Sequence, residues 1–114
     1  MNYQLPFQRG QRLLQLGNSD KPLLRPQIGS KVLPTVDIVS DFRQLLPLKD
    51  ESWDGIFIDQ EEIEPTGVLR VLKVGGYLVV VSPYDPTSTL REVGFRDVTV
   101  LPWANNTLIC EARK

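Results

Sequence analysis

The sequence predicts an α/β fold built on a Rossmann-like sheet, mostly parallel with an antiparallel C-terminal strand, and carrying few and short helices. Three observations predict it. Tyr77-Leu78-Val79-Val80-Val81 is an apolar run without polar alternation, the pattern of a strand buried on both faces of a parallel sheet. Helix start and stop signals separate the later strands. The Asn105-Asn106 pair falls between the last two apolar stretches, where it favours a turn and an antiparallel return.

The elements follow in chain order. Arg12 to Gly17 carries Leu13, Leu14 and Leu16 and ends in the turn formers Gly17-Asn18-Ser19-Asp20, which reads as a buried strand followed by a loop. Pro22, Pro26 and Pro34 leave no room for a helix of ordinary length between Lys21 and Pro34, so a loop is expected there, with at most a short strand at Lys31 to Leu33. Val36-Asp37-Ile38-Val39 is a β-branched run that suits a strand, and Trp53 to Asp59 is a second central strand bounded by aspartates. Glu64-Pro65-Thr66 opens a short helix whose apolar face is Val68, Leu69 and Leu72 and whose expected stop is Gly75-Gly76. After the Tyr77 to Val81 strand, Asp85 as cap and Pro86 at the first position start a helix of about two turns that Gly94 ends. Phe95 to Leu101 and Thr107 to Ala112 are the closing strands.

Composition narrows the chemistry. A chain of 114 residues fits one compact domain spanning 1–114. A formal charge of −1 gives none of the basic footprint that a nucleic-acid backbone demands. The absence of histidine removes His-based metal sites, His general bases and Ser-His triads, and no metal is expected. The single cysteine, Cys110, lies in an apolar run and reads as a small buried hydrophobe. The N-terminal residues lack a basic region followed by an apolar one, and no apolar run approaches the ~20 residues of a membrane-spanning helix, so a cytoplasmic protein is expected.

Three ordered segments carry a family resemblance. Leu46-Pro47-Leu48-Lys49-Asp50-Glu51-Ser52-Trp53-Asp54-Gly55-Ile56-Phe57 resembles a leucine-proline pair, an acidic loop, and the aromatic-aspartate pair that opens a fourth strand. Val68-Leu69-Arg70-Val71-Leu72-Lys73-Val74-Gly75-Gly76-Tyr77-Leu78-Val79-Val80 looks like a helix, a Gly-Gly corner and a fifth strand. Leu90-Arg91-Glu92-Val93-Gly94-Phe95-Arg96-Asp97-Val98 resembles a last helix with a Gly-Phe entry into a sixth strand. Together these are similar to the class I S-adenosylmethionine (SAM)-dependent methyltransferases of the type 11-like group, of which the chain looks like a shortened and partly degenerate member. The matches begin in the back of the fold, where they speak mainly to architecture.

The resemblance implies SAM as cofactor and a set of residues to hold it. Gly17 matches the first glycine of the family's cofactor loop, in the run Leu14-Gln15-Leu16-Gly17-Asn18-Ser19-Asp20-Lys21, and Asn18 follows it. Ser19 and Lys21 stand where the second and third glycines would be, and Gln15 replaces an acidic residue. Asp37 is a candidate for the carboxylate that takes both ribose hydroxyls, but its surroundings align better with the third strand, and on that alignment the ribose acid has no counterpart. Asp41 and Phe42 match the pair that meets the adenine amino group and lines the ring, with a turn-capping aspartate as the alternative for Asp41. Asp59 begins the acidic run Asp59-Gln60-Glu61-Glu62-Ile63-Glu64, in the place of a family segment that often ends in leucine, glutamate and histidine, the histidine being absent here, with a solvated acidic run as the alternative. Lys21 or Arg25 could supply charge toward the methionine carboxylate. Ser82-Pro83-Tyr84 resembles the Asp/Asn-Pro-Pro-Tyr signature of amino-group methyltransferases, displaced to the end of the fifth strand; it reads as a turn in which Tyr84 is a pocket candidate.

Two functions follow from this pattern. One is a minimal methyltransferase acting on a small molecule or an exposed group, with an open site or one completed by a second subunit in a homo-oligomer. The other is a methyltransferase-like fold without catalysis, a protein-interaction or ligand-binding module of the kind found at the N-terminus of anamorsin-type proteins, favoured by the loss of two glycines. A nucleotide-binding domain of another α/β family is disfavoured by the lack of a phosphate-cradling glycine motif.

Overall fold

In a computed structural model of the chain, residues 6–7, 11–17, 36–39, 49–59, 65–103 and 106–114 are described, with backbone alone at 15–17, 36–39 and 59. The expected loop at 21–34 and the short strand at 31–33 lie outside these residues. The elements are β1 (Leu13–Gly17), β2 (Val36–Val39), β3 (Trp53–Asp59), α1 (Pro65–Val71), β4 (Leu72–Ser82), α2 (Thr87–Val93), β5 (Arg96–Pro102) and β6 (Leu108–Arg113).

They form one six-stranded sheet in the order β2-β1-β3-β4-β6-β5. β2, β1, β3 and β4 are mutually parallel, and β6 runs antiparallel to both β4 and β5. The expected parallel sheet with an antiparallel finish is therefore present. β2 pairs directly with β1, so it occupies the second-strand place counted outward from the first strand of a doubly wound sheet.

The period of two along each strand divides the core. Leu14, Ile56, Ile58, Leu78, Val80, Cys110 and Ala112 pack against Val68 and Val71 of α1 and Leu90 of α2. Phe57, Val79, Val81 and Ile109 form a second cluster, completed by Phe7 and Trp103. The unbroken apolar run of β4 is explained by these two clusters, because consecutive side chains enter opposite sides of the sheet. Gly55 marks the tightest approach within the described residues: a Cβ there would meet the Phe7 ring and, at 2.8 Å, Leu13 Cδ2.

One boundary corrects the sequence reading. The helix does not run to a Gly-Gly stop; it ends at Val71, and Leu72 is already paired with Trp53 in the sheet. The two glycines lie inside β4, where the register jumps between Trp53↔Leu72 and Gly55↔Tyr77. Gly75 has φ +84°, and a Cβ on Gly76 would lie 2.7 Å from the Asp54 carbonyl oxygen. The pair thus makes a bulge, which needs the same conformational freedom as a helix stop.

α2 begins one residue later than its cap signal implies. Pro86 is the N-cap residue, while Asp85 Oδ1 accepts the Thr87 N–H at 2.9 Å. At the other end Gly94 has φ +115°; its N–H donates to the Arg91 carbonyl and that of Phe95 to the Leu90 carbonyl, a Schellman-type close.

The amino end of the parallel strands is knit by polar contacts. Asp54 Oδ2 accepts the Arg12 N–H at 2.8 Å, and Lys73 Nζ lies 3.4 Å from Asp54 Oδ1. The Arg12 guanidinium sits 4.3 Å over the Trp53 ring. Lys114 Nζ donates to the carbonyls of Leu69 and Leu72, each at 2.7 Å, and so closes the C-terminus of α1. No described helix is long and apolar enough to cross a membrane.

Candidate functional site

In a doubly wound sheet, ligands bind beyond the carboxyl ends of the strands at the point where the chain order reverses. Here that point lies between β1 and β3: from β1 the chain moves to β2 on one side and later to β3 and β4 on the other. The register makes the position specific. Gly17 pairs with Asp59, and Asp59 pairs in turn with Val81. Gly17 and Asp59 are thus lateral neighbours on adjacent parallel strands, about 4.8 Å apart by strand spacing. Val39, the last residue of β2, pairs with Leu16 on the other side.

Of the residues that the sequence singles out, Gly17 and Asp59 are brought together at this crevice. Asp37 pairs with Leu14 in the body of β2, two residues short of the strand's carboxyl end. Asn18, Asp41 and Phe42 lie outside the described residues, as do Ser19, Lys21 and Arg25. Tyr84 is 79% exposed in the turn after β4, where its N–H donates to Ser82 Oγ at 3.1 Å.

Two further side chains stand at this end. Asp85 follows Tyr84, and the Thr87 backbone N–H, aided by the Thr87 hydroxyl, holds its carboxyl below the usual carboxylate range. Trp103 leaves β5 with its N–H donating to the Thr107 carbonyl at 2.8 Å and packs on the second core cluster. The signal that could have found Trp103 is a large aromatic in a turn, Pro102-Trp103-Ala104, where propensity favours small polar residues. Cys110 stands apart from this chemistry: it is buried, and burial pushes its thiol up to about 11. Among the described residues no three acidic or cysteine side chains converge in a way that could hold a metal.

Solved structures share this fold. A SAM-dependent methyltransferase from Thermotoga maritima, described as a possible histamine N-methyltransferase, superposes with a TM-score of 0.60 at 16% identity, over 96% of this chain and 84% of that one. The fold is methyltransferase-like. A methyltransferase of Haloferax volcanii, solved in complex with the Trm112 methyltransferase activator, gives a TM-score of 0.60 at 14% identity over 95% and 83% of the two chains. A SAM-dependent methyltransferase from Aquifex aeolicus gives 0.54 at 22% identity, over 70% of this chain and 55% of that one. Neither a protein-family model nor a curated protein matches the sequence. At these identities the likeness establishes the architecture.

What is described of the crevice is a glycine that ends β1 and an aspartate that ends the neighbouring strand.

Proposed function

We propose that this protein is a SAM-dependent methyltransferase that acts on a small molecule or an exposed acceptor group. The observation that carries the proposal is the pairing of Gly17 with Asp59 at the switch point of a methyltransferase-like sheet. When bound, SAM supplies an electrophilic methyl group on a sulfonium. The protein's share is positional, holding acceptor and cofactor in line, and this asks for no histidine. Gly17, Asn18, Asp41, Phe42 and Asp59 hold the cofactor in this reading, with Asp37 as the candidate toward the ribose. In this reading the site is completed by a second copy of the chain.

The test is thermal denaturation with SAM and with S-adenosylhomocysteine. Ligand at a hundred times its Kd stabilises the folded state by about 2.7 kcal/mol, a rise of about 10 °C in Tm for a domain of this size. An unchanged Tm at millimolar concentrations of both would refute the cofactor reading.

A second reading, a binding module without catalysis, is favoured by the single glycine in Gly17-Asn18-Ser19-Asp20-Lys21. The Haloferax neighbour's complex with an activator gives that reading a precedent for partner binding on this fold. It predicts a partner-dependent rise in stability without any response to SAM.

A further inference from the structure

The sheet ends at β5, which pairs with β6 and with no other described strand. Its inner stretch, Val98-Thr99-Val100-Leu101, is uncharged and rich in β-branched residues, and Leu101 is 42% exposed. A run of that composition on an open edge is a template for a strand from another chain. In an antiparallel ladder alternate residues turn both backbone groups toward the neighbouring strand, and the residues between them turn theirs away. The Trp103 N–H donates to the Thr107 carbonyl at 2.8 Å, so Thr99 and Leu101 face β6, while Val98, Val100 and Pro102 present their backbone to the open edge.

Three features interrupt that edge. Pro102 has no N–H to offer. The Val98 carbonyl already accepts Arg91 Nη2 at 3.3 Å, in a part-buried contact that Arg91 makes from the last turn of α2. Asp97 has φ +52°, and between Arg96↔Arg113 and Thr99↔Glu111 β5 advances one residue more than β6, so the strand bulges where the run begins. The outward N–H and C=O of Val100 thus lie between an occupied carbonyl and a missing donor. A strand added here would find its ladder broken on either side of Val100.

We propose that Arg91, Asp97 and Pro102 close the β5 edge and so keep a second copy of the chain from adding its own β5 to the sheet. A second copy is the strand that this edge meets most, because every molecule carries the same uncharged run and an antiparallel pair of them would be related by a two-fold axis. Arg91 is the adjustable part of the closure, a side chain of α2 laid on a backbone group of β5, whereas the bulge and the proline belong to the strand itself. The inference stands on the sheet edge alone and is independent of the methyltransferase reading. A second copy that completes the cofactor site docks away from β5.

Amide hydrogen exchange and sedimentation over a range of protein concentrations test the closure. In the unmodified protein the Thr99 and Leu101 amides should be protected throughout, and exchange at Val100 should not depend on concentration. A Val100 amide that gains protection as the parent is concentrated overturns the proposal. Arg91→Ala combined with Pro102→Val frees the Val98 carbonyl and restores a donor, at two exposed positions. The pair should raise the association constant at least about tenfold over the parent's, with Val100 now protected in the associated state. Lys49→Ala, which removes the same charge from an exposed site, should match the parent in both readings. So should Arg91→Lys, which keeps a cationic donor. An association constant unchanged in the paired variant, or association that leaves Val100 unprotected, sinks the idea. Where the paired variant does not fold, Pro102→Val alone is held to the same criterion.

Discussion

Replacing Lys114 by methionine removes the group that closes α1 while keeping the length of the side chain. In the native fold the ammonium, only 19% exposed, donates to the Leu69 and Leu72 carbonyls at 2.7 Å each. Its third neighbour, Glu51 Oε1, is 3.9 Å away and more than half exposed, so that pair adds little. A hydrogen bond to a charged donor contributes about 1.5–3 kcal/mol, but the two share one ammonium and the freed carbonyls can partly find water. The expected cost is about 2 kcal/mol, equivalent to a fall of about 8 °C in Tm for a domain of this size. Urea denaturation should show the midpoint dropping by about 1 to 2 M with an unchanged slope. Glu51→Gln serves as the control and should stay within about 0.5 kcal/mol of the parent. If Lys114→Met also stays within that margin, or if Glu51→Gln costs as much, the closure of α1 does not depend on the ammonium and the reasoning fails.

Gly94→Ala should cost about 1–3 kcal/mol through backbone conformation alone, since a Cβ there would meet Leu69 Cδ2 at an ordinary 3.7 Å while φ stays at +115°; a urea midpoint equal to the parent's would contradict this. Cys110 gives a pH dependence with a definite sign. Its folded thiol is raised from 9.0 to about 11, so the folded state binds more protons between those values, and its contribution is intact below pH 9 and lost as pH rises toward 11. Comparison of Cys110→Ala with the parent at pH 8 and pH 10.5 should show the stability gap narrowing at the higher pH. The same burial predicts that a thiol reagent labels Cys110 in urea but scarcely labels the native protein.

The central sheet was legible because its strands obey simple periodicities. Val36–Val39 and Trp53–Asp59 have the bounds that their apolar runs imply, and the β4 run announces burial on both sides. Gly75-Gly76 was misread for a physical reason: a helix stop and a β-bulge both require positive φ or a close backbone approach, and sequence records the glycine without recording which use it serves. The packing of Trp103 is not legible in sequence because a single aromatic in a turn has no period; the fold sets it against the cluster of Phe57, Val79, Val81 and Ile109. The candidate site was only partly legible. Gly17 and Asp59 are 42 positions apart and become neighbours through strand pairing, which a family resemblance can suggest but a single chain's pattern cannot.

The polar contacts that hold the described sheet together gather at its amino end. At the amino end Arg12, Asp54 and Lys73 share an aspartate-centred lattice, Arg12 covers Trp53, and Lys114 closes α1. These contacts bind β1, β3, β4 and β6 to one another irrespective of any ligand. At the carboxyl end the described side chains are held mainly through backbone groups: the Tyr84 and Trp103 N–H donors fix their loops and leave the loops' side-chain chemistry to vary. Substitutions at the exposed Tyr84 should therefore cost little stability, whereas Asp54→Ala should cost stability by removing the acceptor of the Arg12 N–H and the partner of Lys73. Because these contacts belong to the sheet itself, the architecture is recognisable at 14–22% identity to solved methyltransferase structures.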